Sequence, residues 1–211
     1  MSGQLVIVRH TESEWNALGK WTGTRDVHLS AKGFREAAIM GENLKDIRFD
    51  NAFVSQQIRT KETLENILDT SGQLDVPYEA SRGLNERDYG DLTGKNKWQV
   101  QKEIGEQAFI KMRRGWNVPV PNGETLKDVY ARVKPFYLNR VMPLLNQGKT
   151  VLIVAHGNSI RALIKYIESI DDSQIEKTEM IFGTALIYHV NDKGKMIKKG
   201  TRKIDSPLPP A

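Results

Sequence analysis

Cysteine is absent from the 211 residues, which excludes disulfides, thiolate nucleophiles and any zinc site that needs a thiolate ligand. Long apolar runs are missing too: nothing approaches the roughly 20 consecutive apolar residues of a membrane span, and the amino terminus has no basic stretch leading into an apolar one. No membrane partner is expected, and a cytoplasmic location is the default. There is no G-x-S-x-G turn. Gly148-Lys149-Thr150 is no P-loop, because Pro143 stands where the upstream glycine belongs and the triplet precedes an apolar run instead of following one. Histidine is scarce, at four residues. His10-Thr11-Glu12 has the H-x-E spacing of zinc deaminases, but the cysteines of that ligand set are lacking, so no metal is expected. Acidic residues are missing from one stretch, 193–203, which holds six basic side chains and accounts for the net charge of +5. It reads as a solvated surface hairpin followed by a disordered tail, 205–211, and no nucleic-acid partner is expected.

What is present is an ordinary globular composition, 39% hydrophobic and 27% charged, which excludes a disordered chain. Two short apolar runs end in histidine: Val6-Ile7-Val8-Arg9-His10 and Val151-Leu152-Ile153-Val154-Ala155-His156. Their length and β-branched content predict strands buried on both faces of a parallel sheet, with each histidine at a carboxyl end, the edge at which open α/β sheets bind ligands. Around them the pattern predicts strand 4–9, helix 31–45, strand 52–55, helix 59–70 and strand 76–81. Beyond a polar stretch from Gly83 to Asn96 it predicts helices over 97–114 and 124–145, the latter kinked at Pro135, then strand 150–155, helix 158–170 and strand 185–190. The expected fold class is α/β, a three-layer α/β/α domain with a mostly parallel central sheet, spanning 1–204 with an excursion at 83–123.

The loop after the first histidine is rich in anion-binding groups: Arg9, Ser13, Asn16, Thr22 and Gly23. Arg59 starts the helix after the second strand, where helix amino-terminal amides add positive potential. With the two histidines, Arg9 and Arg59 are expected to form a phosphate clamp. Read by itself, Glu86 is the salt-bridge partner of its neighbour Arg87.

These residues resemble the histidine phosphatase superfamily, through Arg9-His10-Thr11-Glu12 and the downstream His156. The resemblance extends to the cofactor-dependent phosphoglycerate mutases, through Glu12-Ser13-Glu14-Trp15-Asn16, Thr22-Gly23, Leu84-Asn85-Glu86-Arg87-Asp88-Tyr89-Gly90, Asn96-Lys97, Arg113-Arg114-Gly115, Pro121-Asn122-Gly123-Glu124-Thr125 and Ala155-His156-Gly157-Asn158-Ser159. It implies a phosphoglycerate mutase-like fold and interconversion of 3- and 2-phosphoglycerate. It further implies that His10 takes a phosphoryl group from the cofactor 2,3-bisphosphoglycerate, without a metal. His156, Arg9 and Arg59 would stabilise the transferring group, and Glu86 would move the proton. Lys97, Arg113 and Arg114 would hold the substrate's other anionic groups, with Ser13, Asn16, Thr22, Gly23, Arg87, Tyr89, Gly157 and Asn158 completing the substrate-binding set. The excursion is then expected to cap the sheet edge and exclude water. A phosphatase or a bisphosphoglycerate synthase on the same scaffold is the alternative. Thr11 stands where the family commonly has glycine, Thr24 where tryptophan is often seen, and the 114–121 segment is shorter than in longer mutases. A monomer or small homo-oligomer is therefore expected.

Overall fold

The structure is a computed structural model that describes residues 3–180 and 182–204; the tail expected to be disordered, 205–211, lies outside the described residues. The elements in chain order are β1 (Gln4–Arg9), α1 (Glu14–Ala17), α2 (Ala31–Leu44), β2 (Asn51–Val54), α3 (Ile58–Thr70), β3 (Tyr78–Ala80), α4 (Lys97–Ile104), α5 (Glu106–Arg114), α6 (Leu126–Phe136), α7 (Met142–Asn146), β4 (Thr150–Ala155), α8 (Gly157–Ile167), β5 (Thr184–Val190) and β6 (Met196–Lys203). The sheet order is β3-β2-β4-β1-β5-β6. The first four strands are parallel, whereas β5 runs antiparallel to β1 and β6 antiparallel to β5. The sheet is thus mostly parallel, and β5–β6 is the expected basic hairpin, with β6 exposed along nearly its whole length.

The period of two along each central strand divides the core. Val6, Val8, Leu152 and Val154 face Met40, Leu44, Leu64 and Ile67 of α2 and α3. Leu5, Ile7, Val151 and Ile153 face Val129 and Val133 of α6 and Ile160 and Leu163 of α8. Burial of each such side chain contributes about 1.5–3 kcal/mol, so both faces of β1 and β4 are committed to the interior.

Two helices differ from expectation. The 97–114 segment is split into α4 and α5 at Gly105, whose φ of 82° is comfortable only for glycine. The 124–145 segment continues through Pro135, which sits inside α6, and just beyond it the chain widens over Tyr137–Val141, where Met142 N donates to Tyr137 O, a π-type bond. This wide turn leads into Pro143, which has no N–H to offer α7. Within the 83–123 excursion, Val100 and Phe109 pack on Trp21 and Tyr89 in a small separate core, with Trp21 4.4 Å from Tyr89 and 5.8 Å from Phe109 between ring centroids.

The turn after His10 is bolted to α2. Ser30 N donates to Glu12 O at 2.9 Å, Ser30 Oγ to Glu12 Oε1 at 2.8 Å, and Glu12 N to Glu36 Oε2 at 3.3 Å. The contact is so close that a Cβ on Gly33 would stand 2.0 Å from Glu12 O, whereas one on Gly200 would meet nothing nearer than 3.9 Å. Gly33→Ala is therefore expected to lower stability in denaturant unfolding by about 1–3 kcal/mol. Gly200→Ala is the control, expected to stay within about 0.5 kcal/mol of the parent.

Candidate active site

Because β1 and β4 pair in register, with Arg9 opposite Ala155, the residues that leave them, His10 and His156, emerge side by side. Their ring centroids lie 4.9 Å apart. β2 pairs on the other side of β4 with Val54 opposite Val154, which brings Ser55 Oγ to 2.7 Å from His156 Nε2. Arg59 follows from the first turn of α3.

His10 Nδ1 lies 2.7 Å from the Thr11 carbonyl oxygen. A carbonyl only accepts, so Nδ1 carries the proton and the neutral ring presents its lone pair at Nε2. Burial, then the charges of Arg59 and Arg9, hold the His10 pKa well below 6.5. Burial and Arg59 do the same for His156. Neighbouring arginine charge thus disfavours the imidazolium, with burial the larger cause.

The two clamp arginines are buried yet keep spare donors. Arg59 donates from Nη1 to Arg25 O at 2.9 Å and from Nη2 to Gly23 O at 3.0 Å. Arg9 donates from Nη1 to Met180 O at 3.2 Å and stacks its guanidinium 3.5 Å from the Phe182 ring centroid. Each Nε is buried without a hydrogen-bond partner among the described residues. Burial lowers both pKa values to about 10, so both remain cationic at neutral pH. Buried cationic donors in this state favour an anion with several acceptor oxygens, which is the chemistry of a phosphoryl group.

Glu86 is held at the pocket wall by backbone amides. Its Oε1 accepts from Arg87 N at 2.7 Å and from Asn158 N, in the first turn of α8, at 3.2 Å. Its own amide donates to Gln57 Oε1 at 2.8 Å, and Gln57 Nε2 donates to Gly23 O at 2.8 Å. Asn158 Nδ2 donates to the Tyr89 hydroxyl at 2.7 Å, and burial raises the Tyr89 pKa. Lys97, at the start of α4, is lowered to about 8 by burial, then by Arg113 and Arg9.

One cavity is lined by Arg9, His10, Asn16, Thr22, Gly23, Arg59, Glu86, Tyr89, Lys97, Arg113, Arg114, Gly157 and Asn158 together. Three sequence-derived candidates are placed differently. His156 is fully buried beside His10 and is not itself on the cavity lining. Ser13 lies outside the lining and caps α1, accepting from Asn16 N at 3.3 Å. Arg87 is fully buried and turned away: it donates to the carbonyls of Met112 at 2.9 Å, Val118 at 3.1 Å and Glu124. Arg87 therefore does not salt-bridge Glu86; its guanidinium fastens the end of α5 and the segment after it to the base. Sequence reasoning missed Ser55, Gln57, Trp21, Arg161, Thr178, Glu179 and Met180. Arg161 stands three residues after Asn158 on the same helix face, a signal that could have found it. Among the described residues no three histidine, aspartate or glutamate side chains are grouped to hold a metal ion.

A parallel-edge pocket with a neutral imidazole that presents a lone pair, a second imidazole, two buried arginines and a backbone-held carboxylate defines a protein built to handle phosphate monoesters. The histidine phosphatase superfamily (branch 1) profile matches residues 5–200, and the chain belongs to that family. It is 43% identical over 201 residues to the 2,3-bisphosphoglycerate-dependent phosphoglycerate mutase of Bartonella quintana, covering 94% of this chain and 98% of that one. It is likewise 43% identical to the phosphoglycerate mutase of Schizosaccharomyces pombe, over 92% of this chain and 93% of that one. The fold is similar to those of the α-ribazole phosphatase of Shigella flexneri, with a TM-score of 0.77, 22% identity and 96% of each chain covered, and of a phosphoglycerate mutase of Bacillus anthracis, with a TM-score of 0.73, 23% identity, and 96% of this chain and 93% of that one covered.

The neutral histidines link the site to stability. Unfolded, both would bind protons near pH 6.5; folded, they do so only well below it. The unfolded state therefore binds more protons as pH falls, and the stability present above pH 6.5 is lost progressively beneath it, with a slope of at most about 1.4 kcal/mol per pH unit per histidine. The denaturation midpoint is expected to fall between pH 7.5 and 5.5, and to fall less steeply in His156→Gln.

Proposed function

We propose that the chain is a 2,3-bisphosphoglycerate-dependent phosphoglycerate mutase that interconverts 3- and 2-phosphoglycerate through a phosphohistidine at His10. The carrying observation is that Lys97, Arg113 and Arg114 line the same cavity as His10. A phosphatase needs a clamp for one phosphoryl group, whereas a mutase must also hold a carboxylate and a second phosphate while its intermediate turns over in place. The 43% identity to relatives named as such mutases supports the same reading.

The buried donors of Arg9 and Arg59 suit the cofactor, which when bound supplies the priming phosphoryl group. His10 Nε2 forms the new N–P bond as the P–O bond to the departing oxygen breaks, and Glu86 gives that oxygen its proton. In the return step a substrate hydroxyl passes its proton to Glu86 and takes the phosphoryl group from His10. Arg9, Arg59 and His156 stabilise the charge on the moving group, a contribution that depends on positioning. Lys97, Arg113 and Arg114 hold the distal anions, and Asn16, Thr22, Gly23, Tyr89, Gly157 and Asn158 shape the walls. In this reading residues 83–123 cap a single domain, and water kept from His10 cannot hydrolyse its phosphoryl group. The substrates are small phosphoglycerates and the setting is the cytoplasm, with no nucleic-acid partner, for a monomer or small homo-oligomer. Among the described residues no helix is long and apolar enough to cross a membrane.

The test is product partition with 3-phosphoglycerate and catalytic 2,3-bisphosphoglycerate. Isomer without stoichiometric phosphate is expected; phosphate release with little 2-phosphoglycerate would make the protein a phosphatase. His10→Ala should abolish labelling by 32P-bisphosphoglycerate, and Glu86→Gln should lower kcat by about 10²–10⁴-fold.

A further inference from the structure

One carboxylate in the cavity has no part in the chemistry above. Glu179 lines the cavity beside Arg114, and its Oε1 accepts from Arg114 Nη2 at 2.8 Å. The backbone on either side of it is anchored by buried guanidiniums: Thr178 O accepts from Arg161 Nε at 2.8 Å and Met180 O from Arg9 Nη1 at 3.2 Å. Arg161 also donates from Nη2 to Arg114 O at 2.6 Å. A single arginine thus grips the main chain at both ends of the ion pair, which sets the Glu179 carboxylate against Arg114 in advance. Its negative charge also reaches Arg9 and Arg113.

We infer that Glu179 is a specificity-determining residue, an internal anion that occupies Arg114 until the substrate's carboxylate or distal phosphate displaces it. This inference rests on the mutase reading above. A pocket containing Arg9, Arg59, Lys97, Arg113 and Arg114 attracts multiply charged ligands strongly, and turnover requires that products leave. A carboxylate fixed at the partly exposed end of the pocket, with 44% of its side chain accessible, weakens that attraction without removing a donor. It acts at Arg114, which the mutase reading assigns to the ligand's distal anions, so it separates ligands with a second anion from those with phosphate alone.

Titration calorimetry with 3-phosphoglycerate and with inorganic phosphate tests this. Glu179→Gln and Glu179→Ala are each expected to bind 3-phosphoglycerate about three- to tenfold more tightly, the scale of a partly solvated ion pair. Inorganic phosphate, which spans only the His10 clamp, should bind within about twofold of the parent. KM for 3-phosphoglycerate should fall in parallel, and the gain should vanish in an Arg114→Gln background. Unchanged or weaker 3-phosphoglycerate binding by both variants would overturn the inference, as would an equal gain for inorganic phosphate, which would mark a general field and not competition for Arg114. If neither the parent nor the variants bind 3-phosphoglycerate, the mutase reading falls and this inference with it. Equal binding by all three overturns this inference alone.

Discussion

The in-register parallel pairing of β1 with β4 is the constraint on which the rest depends. Six consecutive residue pairs, from Gln4 opposite Thr150 to Arg9 opposite Ala155, fix where both strands stop, and the next residue of each is a histidine. A slip of one residue would turn every buried valine and isoleucine to the wrong face, so the cost of misplacing the histidines is the cost of disrupting both halves of the core. Their separation of 4.9 Å is thus guarded by the hydrophobic interior, not by a contact between the rings. β2, on the far flank of β4, adds Ser55 and Arg59 to the same edge by the same logic.

Charge is then concentrated there with few compensating carboxylates. Burying a guanidinium is costly unless its donors are met, and those that are met here find mainly main-chain carbonyls: Gly23 and Arg25 for Arg59, Met180 for Arg9, and Thr178, Ile175 and Arg114 for Arg161. Carbonyl dipoles satisfy donors without cancelling charge, so the positive potential remains available to an anion. The same field, added to burial, keeps His10 neutral, and the Thr11 carbonyl decides which of its nitrogens bears the lone pair.

Arg87 and Arg161 use carbonyls for another purpose. Together they donate to Met112 O, Arg114 O and Val118 O, which belong to the last turn of α5 and the chain just beyond it. Hydrogen bonds to a charged donor are worth about 1.5–3 kcal/mol each, and these hold Arg113 and Arg114 over the sheet edge. The small core of Trp21, Tyr89, Val100 and Phe109 fastens the opposite side of the excursion.

The sequence by itself determined the α/β class, the strands around both histidines, and most of the cavity lining, because strand periodicity and the motif blocks are local signals. Gly105 was equally visible as a helix breaker, although the single-helix expectation passed over it. What only the tertiary structure decided was the direction of long side chains and the company they keep. Arg87 sits beside Glu86 in the chain, yet its guanidinium reaches carbonyls 25 to 37 residues away, and Ser13 spends its hydroxyl on a helix cap. Glu179 carries no local signature, because its meaning comes from Arg114, 65 residues distant. Adjacency in sequence fixes where a backbone goes; the partner of a buried charge is chosen by whichever acceptors the fold brings within reach, and that is a property of the packed chain.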